Sequence, residues 1–254
     1  MILAFDIGNT NIVLGGITDG KIDFIARTST DRIKTADQYG IQIKNILELY
    51  NVDINKISGS IIASVVPPVL NAMKNAVELV TGSKPLVVGP GVKTGLNIVM
   101  DNPATVGADR IVCAIAGLSL AKPPLTIIDM GTATTIDVVD VNKNYIGGLI
   151  MPGLKSSLDS LSEKAAQLPE ISIEQPKQVI GKNTVDCMRN GFMYGFASML
   201  DGCIERVEEQ IGQKTSVIIT GGLSKFVVPL CKREMLYADD LLLTGLYIIY
   251  KKNT

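Results

Sequence analysis

Asp6 closes an apolar run, Ile2 to Phe5, and Ile7, Gly8, Asn9, Thr10 and Asn11 follow before the apolar character returns at Ile12, Val13 and Leu14. A carboxylate aimed at a turn so poor in side chains suits one kind of chemistry. Gly8 lets the backbone approach a bulky anion and aims amide N–H groups outward, while Asn9, Thr10 and Asn11 add short neutral donors. The acid alone would repel phosphate, so Asp6 fits such a turn only through a cation, Mg2+ held partly by water. The turn reads as a phosphate cradle with a metal handle. Neither G-x-x-x-x-G-K-[ST] nor a strand-linked G-x-G-x-x-G occurs.

The arrangement returns in LTIIDMGTATTIDVV, residues 125–139, at an offset of 123 residues. Asp129 matches Asp6, Gly131 matches Gly8, and Thr132 to Thr134 stand where Asn9 to Asn11 stood. An internal repeat on this scale predicts two similar α/β domains, residues 1–120 and 121–254, facing each other across a cleft with one acid-tipped hairpin on each wall. A third signal is SVIITGGLSKF (216–226), a strand running into Gly221 and Gly222; at a helix N-terminus such a turn can seat adenosine or an α-phosphate. Between the hairpins, DNPATVGADR (101–110) sets Asp109 in a Gly-Ala turn before a buried helix, with the planar fork of Arg110 beside it. A substrate with a primary hydroxyl and a carboxylate would use both residues, the first to accept the hydroxyl proton and the second to pair the carboxylate. The structural alternative is a helix cap at Asp109 and a surface ion pair at Arg110.

These residues need strands and helices to hold them, and the pattern supplies both. MILAF, NIVLGG and KIDFIARTS read as three strands, and 35–50 as a helix with Ile43, Ile46, Leu47 and Tyr50 at helical spacing and Thr35 or Asp37 as cap. GSIIASVV (59–66) reads as a buried strand, Pro67-Pro68 introduces a helix over 69–80, PLVVG is a further strand, and 111–121 is a buried helix. Strands meeting helices in this order predict an α/β fold with partly parallel sheets.

Composition narrows the chemistry further. The chain holds no histidine, which excludes Ser-His-Asp hydrolysis, His-base dehydrogenation and imidazole metal sites, and leaves carboxylate, lysine, cysteine or tyrosine as base. A formal net charge of −1 gives no electrostatic ground for nucleic acid or an anionic membrane. No apolar run is long enough to span a bilayer, and the first strand begins without a basic leader. Cys113, Cys187, Cys203 and Cys231 form no C-x-x-C pair and suit a reducing cytoplasm, buried as small apolar residues. Lys155 reads as a solvated helix residue, RVEEQ (206–210) as an exposed helix face, and Met188, Met193 and Met199 near Phe192 and Phe196 as packing.

The three glycine turns, in this order, resemble the nucleotide-binding superfamily of acetate and sugar kinases, heat-shock chaperone ATPases and actin. DNPATVGADR together with IGKNTVDCMRNGFMYG (180–195) narrows the resemblance to the type III pantothenate kinases, and GGLIMPG (147–153), ITGGL and ADDLLLTGL (238–246) extend it nearly end to end. It implies two actin-like (ribonuclease H-like) domains and ATP-dependent phosphorylation of the primary hydroxyl of pantothenate, the first step towards coenzyme A. Asp6, Ile7, Gly8, Asn9, Thr10, Asn11, Ile12 and Val13 would hold the ATP phosphates, and Thr132 would contact ATP. Asp129 would bind a required monovalent cation, K+ or NH4+. Gly107, Ala108, Asp109 and Arg110 would bind pantothenate, with Asp109 as proton acceptor, and Thr184 would reach the substrate from the partner subunit of a homodimer. Met100 departs from the tyrosine that the family often carries before the D-N-P run. Two alternatives share the scaffold: an exopolyphosphatase-like phosphohydrolase and a non-catalytic nucleotide-binding regulatory factor.

Overall fold

The computed structural model describes Met1–Thr254. Strands β1 (Ile2–Ile7), β2 (Asn11–Thr18) and β3 (Lys21–Ser29) form an antiparallel meander. Helix α1 (Ala36–Leu49) opens on a reciprocal cap: the Thr35 side chain accepts from the Gln38 N–H, and the Gln38 side chain accepts from the Thr35 N–H. Strand β4 (Gly59–Ser64) lies parallel to β1. Helix α2 (Pro67–Thr81) has prolines at its first positions, where an N–H would lack a helical partner, and stops at Gly82 with φ 72°. Strands β5 (Leu86–Val87) and β6 (Asn97–Ile98) precede α3 (Ala108–Leu120). Then come β7 (Leu125–Met130), β8 (Ala133–Val139), β9 (Asn144–Pro152), α4 (Leu154–Lys164) and α5 (Thr184–Ile211). The chain ends with β10 (Ser216–Thr220), α6 (Ser224–Val227), β11 (Leu236–Tyr237) and α7 (Leu241–Asn253).

The strands make two sheets, ordered β3-β2-β1-β4-β5 and β11-β10-β7-β8-β9-β6. Reversing the second superimposes its pairings on the first: an antiparallel meander, then a central strand (β1 or β7) with a parallel neighbour (β4 or β10), with β6 as an addition. Even an irregularity recurs, a register shift between Gly16 and Ile17 on β2 and between Val138 and Val139 on β8. The duplication is therefore visible strand by strand.

In the first sheet, alternation puts Leu3, Phe5 and Ile7 on one face, buried with Tyr39, Ile43 and Leu47 of α1 and Val69, Met73 and Val77 of α2. In the second, Ile128, Met130 and Ile136 are buried with Leu154 of α4 and Met193, Phe196 and Leu200 of α5. Each such side chain contributes roughly 1.5–3 kcal/mol when buried.

The chain divides into two compact units: Met1–Leu96 with Asp101–Ala116 and Asp240–Thr254, and Asn97–Met100 with Gly117–Asp239. Helix α7 thus sorts with the first unit, whereas a boundary at 120/121 would leave it in the second. It does so because its side chains press onto the first sheet: a Cβ on Gly15 would meet Leu243, and one on Gly59 would meet the Tyr250 hydroxyl.

Two surface expectations are corrected. RVEEQ is not an exposed face throughout, because Glu208 is only 5% exposed and accepts from Lys214 Nζ (2.6 Å), Arg233 Nη2 (2.7 Å) and the Thr215 N–H (2.9 Å). Burial raises its pKa, but those three donors more than offset this and hold its carboxyl below the usual range. Of the four free cysteines only Cys113 is buried, and Cys187 is exposed in the first turn of α5. Lys155 is exposed and pairs with Asp159, as an ordinary i,i+4 helix pair does.

Candidate active site

Each hairpin turn is built by its strand register. Ile7 faces Ile12 across the first hairpin, so four residues, Gly8 to Asn11, turn the chain. Met130 faces Thr134 across the second, leaving three, Gly131 to Ala133. Thr134 therefore occupies the place of Ile12, not of Asn11, and both are buried. The fixed offset holds up to the glycine and slips by one residue at the tip.

The first tip differs from expectation in one detail. The Gly8 N–H is not aimed outward, since it donates to Asn11 O within the turn (3.0 Å). The remaining outward groups are those of Asn9, Thr10 and Asn11, all exposed, while Asp6 and Val13 are half-buried and Ile7 and Ile12 buried. The segment after β3 laces this tip. The Thr30 N–H donates to Thr10 O (2.9 Å), Thr30 Oγ1 donates to Gly8 O (2.6 Å), and Arg32 Nη2 donates to Asn9 Oδ1 (3.2 Å). Sequence reasoning missed Thr30 and Arg32; their only signal was a position between a strand and a helix cap.

Asp109 and Arg110 lie inside α3, in its first turn, and not in a turn before it. The Arg110 N–H donates to Asp109 Oδ1 (2.8 Å). Gly107 explains why the segment begins with glycine: a Cβ there would sit 2.4 Å from Asp109 Oδ1 and 3.7 Å from Val65 Cγ1. Val65 is the residue next but one to β4's pairing with β1 at Asp6 and Ala63, and its N–H donates to Ile7 O (3.1 Å). Within the first unit, Asp109 and Asp6 are thus brought to the same carboxyl edge of the parallel pair β1 and β4, where open α/β sheets bind ligands. Burial pushes the Asp109 carboxyl above its ordinary pKa of 3.8, opposed by the Arg110 N–H, the Arg110 charge and its own backbone N–H.

In the second unit, half-buried Asp129 pairs with Thr220 at the end of β10, and the next residue, Gly221, has φ 99° and no room for a Cβ, which would lie 2.5 Å from Met130 O. The turn after Gly222 leads into only a four-residue helix, α6, so it lacks the long helix N-terminus that anchors phosphate elsewhere. The tip at exposed Thr132 is backed by α4: the Gly153 N–H and Ser156 Oγ both donate to Thr132 O, at 3.0 and 2.9 Å. Thr184 is the exposed first residue of α5, whose cap Asn183 accepts from the Asp186 N–H (2.9 Å). Met100 packs on the second sheet, with its sulfur 3.2 Å from where a Cβ on Gly147 would lie.

A profile of type III pantothenate kinases matches residues 2–206. A type III pantothenate kinase from Bacillus cytotoxicus is 45% identical over 253 residues, spanning 100% of this chain and 97% of that one. The chain belongs to the type III pantothenate kinase family. Solved structures extend the likeness at the level of fold. A Campylobacter jejuni protein assigned to the Baf family of transcriptional activators is 19% identical, with TM-score 0.62 over 99% of this chain and 98% of that one. The activator of 2-hydroxyisocaproyl-CoA dehydratase from Clostridium difficile is 11% identical, with TM-score 0.55 over 98% and 93%. The pantothenate kinase family thus carries here a duplicated α/β fold that it shares with proteins of other names. No helix is long and apolar enough to cross a membrane.

Proposed function

We propose that this kinase transfers the γ-phosphoryl group of ATP to the primary hydroxyl of pantothenate, giving 4'-phosphopantothenate for coenzyme A synthesis. The observation that carries the assignment of roles is the Gly107 gap that seats half-buried Asp109 at the carboxyl edge of the parallel strands β1 and β4, where β1 carries Asp6. Asp109 accepts the hydroxyl proton as the oxygen attacks phosphorus, and its raised pKa brings it nearer to the strength a base needs at neutral pH. Arg110 pairs the pantothenate carboxylate, Gly107 and Ala108 line its approach, and Thr184 supplies a hydroxyl from the partner subunit of a homodimer. Residues 6–13 hold the ATP phosphates through backbone N–H groups and the short side chains of Asn9, Thr10 and Asn11, and Thr132 contacts ATP.

The donor sets fit the expected cations. No cluster of three or more ligating side chains occurs, and a single carboxylate at Asp6 suits Mg2+, which keeps water and takes phosphate oxygens as its other ligands. When bound there it neutralises phosphate charge. At the second hairpin, half-buried Asp129 and Thr135, paired with it across β7 and β8, put oxygens on one face of the sheet, of the kind that K+ takes as ligands and NH4+ donates to. The four free cysteines support a reducing cytoplasm.

A coupled assay with ATP and pantothenate, run beside other small hydroxy acids and beside polyphosphate, tests the reading. Turnover confined to pantothenate supports it, and hydrolysis of polyphosphate without acceptor would replace it with the phosphohydrolase alternative.

A further inference from the structure

The loop between β3 and α1 has no counterpart in the second repeat. There, one residue, Gly153, separates β9 from α4; in the first, Thr30 makes the matching backbone bond and Asp31–Thr35 are extra. The extra residues are firmly held. Buried Tyr39 brackets Asp31, donating from its hydroxyl to Asp31 O (2.6 Å) and accepting from the Asp31 N–H (3.2 Å), and Asp31 Oδ1 accepts from the Ile33 N–H (3.0 Å). Arg32 is thereby delivered to the tip of the first hairpin, where it meets the amide of Asn9.

That contact has a directional consequence. A guanidinium only donates, whereas an amide has an accepting oxygen on one side and a donating nitrogen on the other. With Oδ1 of Asn9 turned to Arg32, Nδ2 must face away from it. We propose that Arg32 is a positioning residue for nucleotide binding: it fixes the Asn9 amide so that its NH2 group is presented as a donor to a phosphate oxygen of ATP. The inserted loop thus adds to the first hairpin an oriented neutral donor that the second hairpin has no means to copy. This rests on the reading of residues 6–13 as the phosphate cradle.

The test is a double-mutant cycle read by direct calorimetric titration with ATP. Arg32→Met should weaken ATP binding about tenfold, the scale of one hydrogen bond to a charged group, while the KM for pantothenate and the melting temperature stay put. Asn9→Ala should weaken it at least as much, and Arg32→Met should add nothing in that background. Asn9→Asp, which keeps the bond to Arg32 but has no donor, should bind ATP no better than Asn9→Ala. If Asn9→Ala leaves ATP affinity intact, the cradle reading itself fails. If Asn9→Ala weakens binding but Arg32→Met does not, if the two losses multiply, or if Asn9→Asp binds like wild type, the positioning role is overturned while the cradle stands.

Discussion

Behind the first hairpin lies a loop; behind the second lies a helix. Both backings make the same bond, from the N–H of Thr30 to Thr10 O and from the N–H of Gly153 to Thr132 O. They differ in what else they can do. Thr30 and Arg32 hold the first tip by side-chain hydrogen bonds, which leaves space and allows chemistry to be added. The second also takes a side-chain bond, from Ser156 Oγ to Thr132 O, but its backing lies closer, since a Cβ on Gly153 would lie 2.3 Å from Gly131 O and 2.5 Å from Thr132 O. A duplicated motif has been kept once as an adjustable turn and once as a tightly backed one.

Both hairpins should be measured against a residue that lies in neither. Asp109→Asn should lower kcat by roughly 10²- to 10⁴-fold, the largest effect of this set, and near wild-type turnover would remove Asp109 as base. Because only the carboxylate accepts a proton, wild-type activity should fall as pH drops through the raised pKa of Asp109, with the acid limb above the ordinary 3.8. A raised carboxyl pKa favours folding when protonated and loses that advantage as pH rises through the folded value. The asparagine should therefore melt no lower than wild type at neutral pH.

Gly153→Ala should come next, costing about 1–3 kcal/mol or more, because the surroundings are backbone and cannot yield. Gly153 has φ −70°, so the cost is steric and not conformational. Gly8→Ala is the matched comparison: its Cβ would meet only Asn11 O, at 3.1 Å. Thermal melts in which Gly8→Ala is the worse of the two would reverse the contrast drawn between the turns. Replacing K+ by Na+ should cut activity about tenfold, equivalent to 1.4 kcal/mol, and Asp129→Asn should abolish the difference between the ions. Equal rates in both salts would remove the cation from the second hairpin. The smallest change is Thr30→Val, which deletes the side-chain bond to Gly8 O and should cost about 1 kcal/mol in denaturant unfolding; a loss as large as that of Gly153→Ala would mean that the first tip is as rigid as the second.

Much of this was legible in the residues. Apolar runs closing on Asp6 and Asp129 located both central hairpins, and of the two caps read for α1, Thr35 or Asp37, it is Thr35 that caps the helix. Contacts set by the folded path of the backbone, near or far in sequence, were not legible. Gly107 reads as an ordinary turn glycine until the Asp109 carboxylate is found in the space its side chain would fill. Glu208 sits in a polar stretch with helical spacing, and only the approach of Lys214, Thr215 and Arg233 shows that it is buried. The one-residue slip between the tips was hidden for a related reason, since Thr134 resembles Asn11 in polarity but takes the buried place of Ile12 by register.

The last fifteen residues, Asp240–Thr254, belong to the unit that the first ninety-six begin. During synthesis, when domains tend to fold as they emerge, the second sheet can therefore be finished before the first, whose strands β1 and β4 wait for α7 to emerge after it. Clipping the tail would injure the amino-terminal half of this protein and not the half to which it is joined.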